Sequence, residues 1–300
     1  MATSEPNLER LPEGIAERYG LALPAQGERL AGGATGALVR AGDFAVRAER
    51  ADPESVRWEH ELVRFLAEEI DEVVAPLPAL DGSTFYLDGS RLVSVFPFVE
   101  GDQLRSREGA FRQELPTLLA RLHQRAQAWT VTDQRIDMPA LRERDWDQND
   151  WWDWSLVEKT PPLVRAFEEL REWVGNARDL CVCAIHGDFH PGNLLVRDGR
   201  IVAVVDWQYA RKDWPAFELA GVVWDVAWDE ESNVVDPGVR DAVIRDYLDA
   251  GGPGEPEFLL PMARLESLVS VLFSLTRAAR GLAWNPDFTG RLLASLDALA

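Results

Sequence analysis

Three oxygen-bearing side chains lie close together in this sequence. Asp188 and Asn193 sit in the string His186-Gly187-Asp188-Phe189-His190-Pro191-Gly192-Asn193, and Asp206 ends the apolar run Ile201-Val202-Ala203-Val204-Val205. Two carboxylates and one amide oxygen make a hard donor set. Mg²⁺ takes such oxygens and is held by one or two carboxylates, with substrate phosphates completing its shell. A carboxylate left over can accept a proton from an attacking hydroxyl. Phosphoryl transfer in kinases uses these parts: an aspartate base, an asparagine on the metal after four intervening residues, and a second aspartate on the metal. Asp188 and Asn193 have that spacing, and Asp206 follows an apolar strand.

The local sequence says how these groups would meet. Residues 181–185 are short, apolar and β-prone, and the loop 186–193 carries Pro191 and Gly192, which stop regular structure. Residues 194–196 and 201–205 read as strands, and Asp198-Gly199 between them predicts a tight hairpin. That hairpin returns Asp206 to the loop holding Asp188 and Asn193.

The string HGDFHPGN with the later VVDW resembles the aminoglycoside phosphotransferase-like kinases, a family that includes small-metabolite kinases for choline and homoserine. The resemblance implies an α+β, two-lobed protein-kinase-like fold, with a β-rich N-lobe over residues 1–98 and a helical C-lobe over 99–300. It implies Asp188 as catalytic base and Asn193 and Asp206 as Mg²⁺ ligands, with Asp206-Trp207-Gln208 in place of the Asp-Phe-Gly of protein kinases. In this family the residue at His186 supports the loop by hydrogen bonding.

Earlier in the chain, 7–20 reads as a short helix ahead of the first strand. Gly32, Gly33 and Gly36 then form a cluster between apolar segments, where backbone N–H groups can approach phosphates closely. The Gly-Lys-Ser/Thr ending of a P-loop is absent, which disfavours that class. Residues 44–47 read as a strand, and Arg47 stands where a kinase carries a phosphate-holding Lys. Its partner is expected on a helix over 52–69, which Asp52 caps and Pro53 opens. Glu59 aligns best with the family's helix glutamate, and Glu61 competes because a slip of two residues changes which carboxylate faces inward. Strands over 73–80, 84–87 and 91–96 would complete a five-stranded antiparallel lobe. Phe96 and Phe98 then flank a hinge whose backbone, in this family, reads the adenine edge; ATP and GTP are not distinguished.

From residue 102 the pattern is helical. Phe111, Leu115, Leu118, Leu119 and Leu122 recur at helical spacing, and His123 reads as a structural helix residue. Residues 142–154, RERDWDQNDWWDW, hold four tryptophans and four aspartates. In the resembled family this region helps to form the acceptor site, and Trp faces beside carboxylates would hold a cationic amino sugar or another amine. Equally, the tryptophans would seal a helical subdomain while the acids face water. Glu218 is the carboxylate that the resemblance makes a support of the catalytic loop. Trp224, Asp225, Trp228, Asp229 and Glu230 form a second acidic–aromatic cluster. Trp146, Asp150, Trp151, Glu218, Trp224 and Asp225 are therefore the acceptor-side candidates. Further helices are expected over 161–179, 239–250, 259–281 and 289–299.

The net charge of −20 argues against nucleic acid as a partner. It would favour cationic ligands, or simply keep the chain soluble. No run approaches the ~20 apolar residues that cross a membrane, and the polar N-terminus has no signal-peptide core, so no membrane partner and a cytoplasmic protein are expected. Cys181 and Cys183, two apart on a strand, share a face and do not bridge. The reaction expected is transfer of the γ-phosphoryl of ATP or GTP, with Mg²⁺, to a hydroxyl of a small molecule: an aminoglycoside-type antibiotic, an amino alcohol or a sugar. A protein acceptor is less expected, because the chain runs from Asp206 almost straight into helix. Two other readings stand beside it: a nucleotide-binding pseudokinase acting as scaffold or sensor, for which Arg47 speaks, and a structural protein with no nucleotide site.

Overall fold

A computed structural model describes residues 8–30, 36–104, 111–131, 133–178, 180–229, 234–282 and 286–298. Gly32, Gly33 and Glu230 lie outside these residues. The chain divides into two compact units: 1–104 with 135–137 and 192–208, and the remainder.

The first unit is built on six strands: β1 (Leu8–Arg10), β2 (Gln26–Arg29), β3 (Gly36–Ala41), β4 (Phe44–Glu49), β5 (Tyr86–Asp88) and β6 (Arg91–Pro97). Their order is β1-β2-β3-β4-β6-β5, with every neighbouring pair antiparallel. Val39, Val46, Val93 and Val95 form its core with Ile15 and Tyr19 of the short helix α1 (Ile15–Tyr19). The stretch expected as a strand over 73–80 is extended but joins no ladder beyond single contacts. Pro76 and Pro78 have no N–H to donate, so a continuous ladder cannot form there. The stretch is held instead by single bonds, among them Leu77 N–H to the Val95 carbonyl at 2.8 Å and Leu80 N–H to the Arg18 carbonyl at 2.9 Å, and by a one-residue bridge from Val73 to Val204.

Helix α2 (Pro53–Ala67) starts where its signals put it. The Asp52 carboxylate accepts from the N–H groups of Glu54 and Ser55. Val56, Leu62, Val63 and Leu66 are buried, and Glu59 lies among them while Glu61 is exposed. Strand β7 (Asp102–Gln103) pairs with β9 (Leu194–Arg197), which pairs in turn with β10 (Arg200–Val204). Asp198 and Gly199 both have positive φ, 52° and 74°. That is the two-residue turn whose twist matches a hairpin. The hairpin is also tied to the first unit by Val204 N–H to the Glu72 carbonyl at 2.7 Å. These bonds are why 192–208 group with the β-rich unit although they come late in the chain.

The second unit contains α3 (Glu114–Gln127), α4 (Pro161–Asn176), α5 (Pro215–Ala227), α6 (Pro237–Asp249), α7 (Leu259–Ala279) and α8 (Pro286–Ala298). Proline opens α4, α5 and α6 at a position with no N–H to satisfy. Two short ladders accompany them: β8 (Cys183–Ile185) with β11 (Arg211–Asp213), and β12 (Trp228–Asp229) with β13 (Val234–Val235). Both cysteines are free thiols. By length and composition α7 could cross a membrane, which corrects the expectation that no run comes near that length. Here it is a core helix, with Met262, Leu265, Leu268, Val271 and Leu272 fully buried.

Glu266 on α7 is held in this core. Burial pushes its carboxyl up to about 7, and Asp225 adds to the rise, against a Ser270 hydroxyl that donates to it at 2.9 Å. A carboxyl raised on folding favours the protonated native state, so stability is lost as pH climbs from the unfolded value through about 7. Glu266→Gln should therefore be more stable than the parent at alkaline pH, by about 1–2 kcal/mol, with the gap closing in acid. Thermal melts on both sides of neutrality check this; a gap independent of pH would sink it.

Candidate active site

Within the first unit β3, β4, β6 and the β9–β10 hairpin enclose a cavity of about 380 Å³. Leu38, Ala45, Leu195 and Val204 give it apolar walls, and the backbone from Phe96 to Val99 forms one side. Arg47, Glu49, Glu59, Asn193 and Asp206 line its polar end. A flat apolar slot ending in a guanidinium and oxygen donors suits a nucleotide base with its phosphates. On the hinge, Phe98 N–H is already given to the Asp43 carbonyl at 2.8 Å. The Phe98 ring carries the Arg40 guanidinium 4.0 Å above it.

Asn193 and Asp206 are brought together by the hairpin: the Asn193 carbonyl accepts Val205 N–H at 2.9 Å. Asp206 has φ +66°, a left-handed conformation that Asp tolerates better than most residues. Among the described residues no group of three His, Cys, Asp or Glu could hold a metal. Asp206 and Asn193, two oxygen donors lining one cavity, could hold a hard cation whose remaining ligands are water and phosphate, as Mg²⁺ takes them.

Arg47 is gripped from three sides. Its Nη1 donates to Glu59 Oε1 at 2.9 Å, its Nε lies 2.8 Å from Glu49 Oε1 in an ion pair not aligned as a hydrogen bond, and its Nη2 meets His60 Nε2 at 3.1 Å. A guanidinium has no acceptor, so His60 Nε2 must carry the lone pair, and its Nδ1–H is given to Thr84 Oγ1 at 2.8 Å. Burial and the Arg47 charge push the His60 imidazolium down to about 3, so the ring is neutral. Arg135 stands 3.5 Å from the other oxygen of Glu59. Burial alone would raise the Glu59 carboxyl, but Arg47 and Arg135 outweigh it and hold it below the usual range. Burial, with repulsion from Glu59 and Asp206, raises Glu49 despite Arg47. The expected Arg47–Glu59 pair is therefore present in the geometry. Glu49, His60 and Arg135 were not foreseen, although Arg47-x-Glu49 on a strand puts both side chains on one face.

In the second unit the loop carrying Asp188 is fixed by its backbone. His186 and Gly187 both give their N–H groups to the Glu218 carboxylate. Glu218 is braced by His123 Nε2 at 2.8 Å, and His123 Nδ1 meets the Tyr247 hydroxyl at 2.8 Å. Burial would raise Glu218, but His123, His186 and the Gly187 N–H hold it below the usual carboxylate range. Asp188 N–H points to His186 Nδ1 at 3.3 Å, and its side chain stays 38 % exposed with His190 Nε2 at 3.6 Å. Gly187 has φ +83°, and a Cβ there would press into the Tyr209 carbonyl. Gly187→Ala should thus cost about 2–4 kcal/mol and most of the activity. A variant melting with the parent would contradict this.

The acceptor-side candidates separate. Trp146 is buried edge-to-face with Trp152 and Phe167, and Trp154 stacks on Phe167 at 4.0 Å. Trp224 is buried 4.2 Å from Trp228, and Asp225 neighbours Glu266. The acids are engaged too: Asp145 accepts from the Asp147 and Gln148 N–H groups, Asp147 pairs with Arg171, and Asp153 accepts from Ser155. For most of this segment, sealing a helical subdomain is what the side chains do. Glu218 is below the catalytic loop and 6 % exposed. Of the candidates in this segment, Trp151, half-buried, and Asp150, exposed, remain near solvent.

The model of the phosphotransferase enzyme family matches residues 26–260. A homoserine kinase of Sinorhizobium fredii is 28% identical over 164 residues, 53% of this chain and 48% of that protein. Stress response kinase A of Salmonella choleraesuis is 27% identical over 164 residues, 53% of this chain and 49% of that protein. The chain spans about half the length of the curated relatives it matches. Among solved structures, an amicoumacin kinase in complex with AMP-PNP, Ca²⁺ and Ami gives a TM-score of 0.71 at 15% identity, over 96% of this chain and 91% of that one. A spectinomycin phosphotransferase in complex with ADP and spectinomycin gives 0.68 at 13%, over 98% and 95%. At such identities the likeness speaks for the fold, which is the two-lobed protein-kinase-like α+β fold. With most of its length matched by the family model, the chain belongs to the phosphotransferase enzyme family.

Proposed function

We propose that the protein is a Mg²⁺-dependent kinase of the cytoplasm, moving the γ-phosphoryl of ATP or GTP to a hydroxyl of a small molecule. The observation that carries this is the cavity whose polar end holds Arg47, Glu59, Asn193 and Asp206 together. The base would lie between Leu38, Ala45, Leu195 and Val204. Because Phe98 N–H is committed to Asp43, the Val99 N–H is the hinge donor that would read the base edge. Arg47 and the glycine-rich segment 32–36, most of which lies outside the described residues, would hold the phosphates. Asn193 and Asp206 would hold Mg²⁺, which when bound neutralises charge on the phosphate oxygens. Asp188 orients the acceptor hydroxyl and takes its proton as the oxygen bonds to the γ-phosphorus and the bond to the β-phosphate oxygen breaks. In a loose transition state, positioning and charge neutralisation supply most of the rate. A division into lobes near residue 98 belongs to the same proposal.

Arg47 speaks for a pseudokinase, and what supports the kinase reading against it is that Glu49, Glu59 and His60 hold this arginine at the polar end of the cavity. The test is ADP and GDP release with Mg²⁺ over aminoglycosides, macrolides, amino alcohols, homoserine and simple sugars. One acceptor should give a product heavier by one phosphoryl group. Absence of Mg²⁺-dependent nucleotide binding, in parent and Asp206→Ala alike, would overturn the proposal.

A further inference from the structure

Beside the Asp188 loop, the second unit holds two buried arginines that each keep an unused donor among the described residues. Arg144 and Arg211 have fully buried side chains, and both guanidinia approach the Trp151 ring, at 3.5 and 4.8 Å from its centroid. Arg211 gives Nε–H to Asp213 at 2.8 Å and Nη1–H to the Tyr209 carbonyl at 3.3 Å, while its Nη2 has no partner. Among the described residues Arg144 reaches Asp150, at 3.5 Å, and the weak Met138 sulfur acceptor at 3.3 Å, while its Nε has no partner there. Asp213 already accepts from Arg211 and from the N–H groups of Leu141 and Trp214. Asp150 is 62% exposed and so screened by water. Two buried cations therefore share one buried carboxylate. Their repulsion shows: burial first, then Arg211, lowers Arg144 to about 10.

Unpaired guanidinium donors inside a protein are costly, and an uncompensated buried charge more so. Two guanidinia already approach the Trp151 ring, and a third cation there would face both. Arg211 also packs directly on the catalytic loop: a Cβ at Gly187 would meet its Nη1 at 2.7 Å. The pair is thus next to the loop that carries Asp188.

We infer that Arg144 and Arg211, covered by Trp151, form a subsite for a carboxylate or similar anionic group of the acceptor. This rests on the kinase reading above for the word acceptor, but the anion preference stands on its own. An anion would take the free Nε–H of Arg144 and Nη2–H of Arg211 once the Trp151 ring moves aside. The pairing would supply the missing counter-charge in the fork geometry that guanidinium and carboxylate share.

The test compares three probes of one size and shape that differ in charge: 4-hydroxybutyrate, 1,4-butanediol and 4-aminobutan-1-ol. Binding to the full chain is followed by calorimetry and saturation-transfer NMR, without nucleotide and with a non-hydrolysable analogue and Mg²⁺. The carboxylate should bind about tenfold more tightly than the diol, and the amine no better than the diol. Arg144→Gln should abolish that preference, and Arg144→Lys should restore part of it. The wild-type comparison needs no variant, so a misfolded Arg144→Gln leaves the test intact. Equal binding of the three, preference for the amine, no detectable binding of the carboxylate, or a preference unchanged in a folded Arg144→Gln would overturn the inference. Turnover is read separately. Anion preference without phosphoryl transfer to any acceptor would count against the kinase reading alone, and transfer to amines without anion preference against the subsite alone.

Discussion

Asp188→Ala is expected to lower kcat by about 10²–10⁴-fold while moving the nucleotide dissociation constant by no more than a few-fold. The loop that carries Asp188 is held by its own backbone donors. The N–H groups of His186 and Gly187 are given to Glu218, and Glu218 is braced by His123. Truncating the side chain at 188 should therefore remove a proton acceptor while these backbone bonds remain. Asp188 is absent from the residues that line the nucleotide-sized cavity, so the base and phosphate interactions have no reason to change. Replacing Glu218 instead should unpin two backbone donors and lower the melting temperature together with the rate. The pair of variants thus separates a chemical role from a supporting one: loss of kcat at an unchanged melting temperature for Asp188→Ala, loss of both for Glu218→Ala. Initial rates, nucleotide calorimetry and thermal melts on both proteins decide. A kcat equal to the parent's would remove Asp188 as the base.

Much of this geometry is legible in the sequence where it depends on local rules. Asp198-Gly199 demands two positive φ angles, and the chain has them, so the hairpin that joins Asn193 to Asp206 follows from the turn chemistry alone. The helix start at Asp52-Pro53 fixes the phase of α2, and with it the inward face of Glu59 and the outward face of Glu61. The strand expected over 73–80 does not form, because Pro76 and Pro78 cannot donate to a ladder. The remaining gaps are long-range. Trp151 looks like an open aromatic face until Arg211, sixty positions away, is found beside it. His123 looks like an ordinary helix residue until Glu218 and Tyr247 close on its two nitrogens. No periodicity encodes such meetings, because they depend on where separate elements dock.

Arg47→Lys puts back the side chain that kinases usually carry on this strand, and it should nonetheless lower kcat/KM. The reason is the number of directions from which the cation is held. The guanidinium presents Nε, Nη1 and Nη2 to three buried partners, Glu49, Glu59 and His60. An ammonium has a single nitrogen and cannot span the same three positions. His60 Nε2 would lose its donor inside the protein, and Glu49, already raised by burial and by repulsion from Glu59 and Asp206, would lose the charge that offsets both. Losing one charge-assisted hydrogen bond costs about 1.5–3 kcal/mol, which corresponds to roughly 10- to 100-fold in kcat/KM. The nucleotide KM should rise with it, because a displaced cation grips the bound phosphate less well in the ground state as well as in the transition state. His60→Ala should weaken Arg47 in the same direction and by less, and His60→Gln, which keeps an acceptor, should recover part of the loss. Steady-state kinetics on the three variants, each with a melt to show that it folds, are sufficient. A lysine variant as fast as the parent would mean that the pocket asks only for a positive charge at position 47, and that the clamp of Glu49, Glu59 and His60 holds the fold rather than the phosphates.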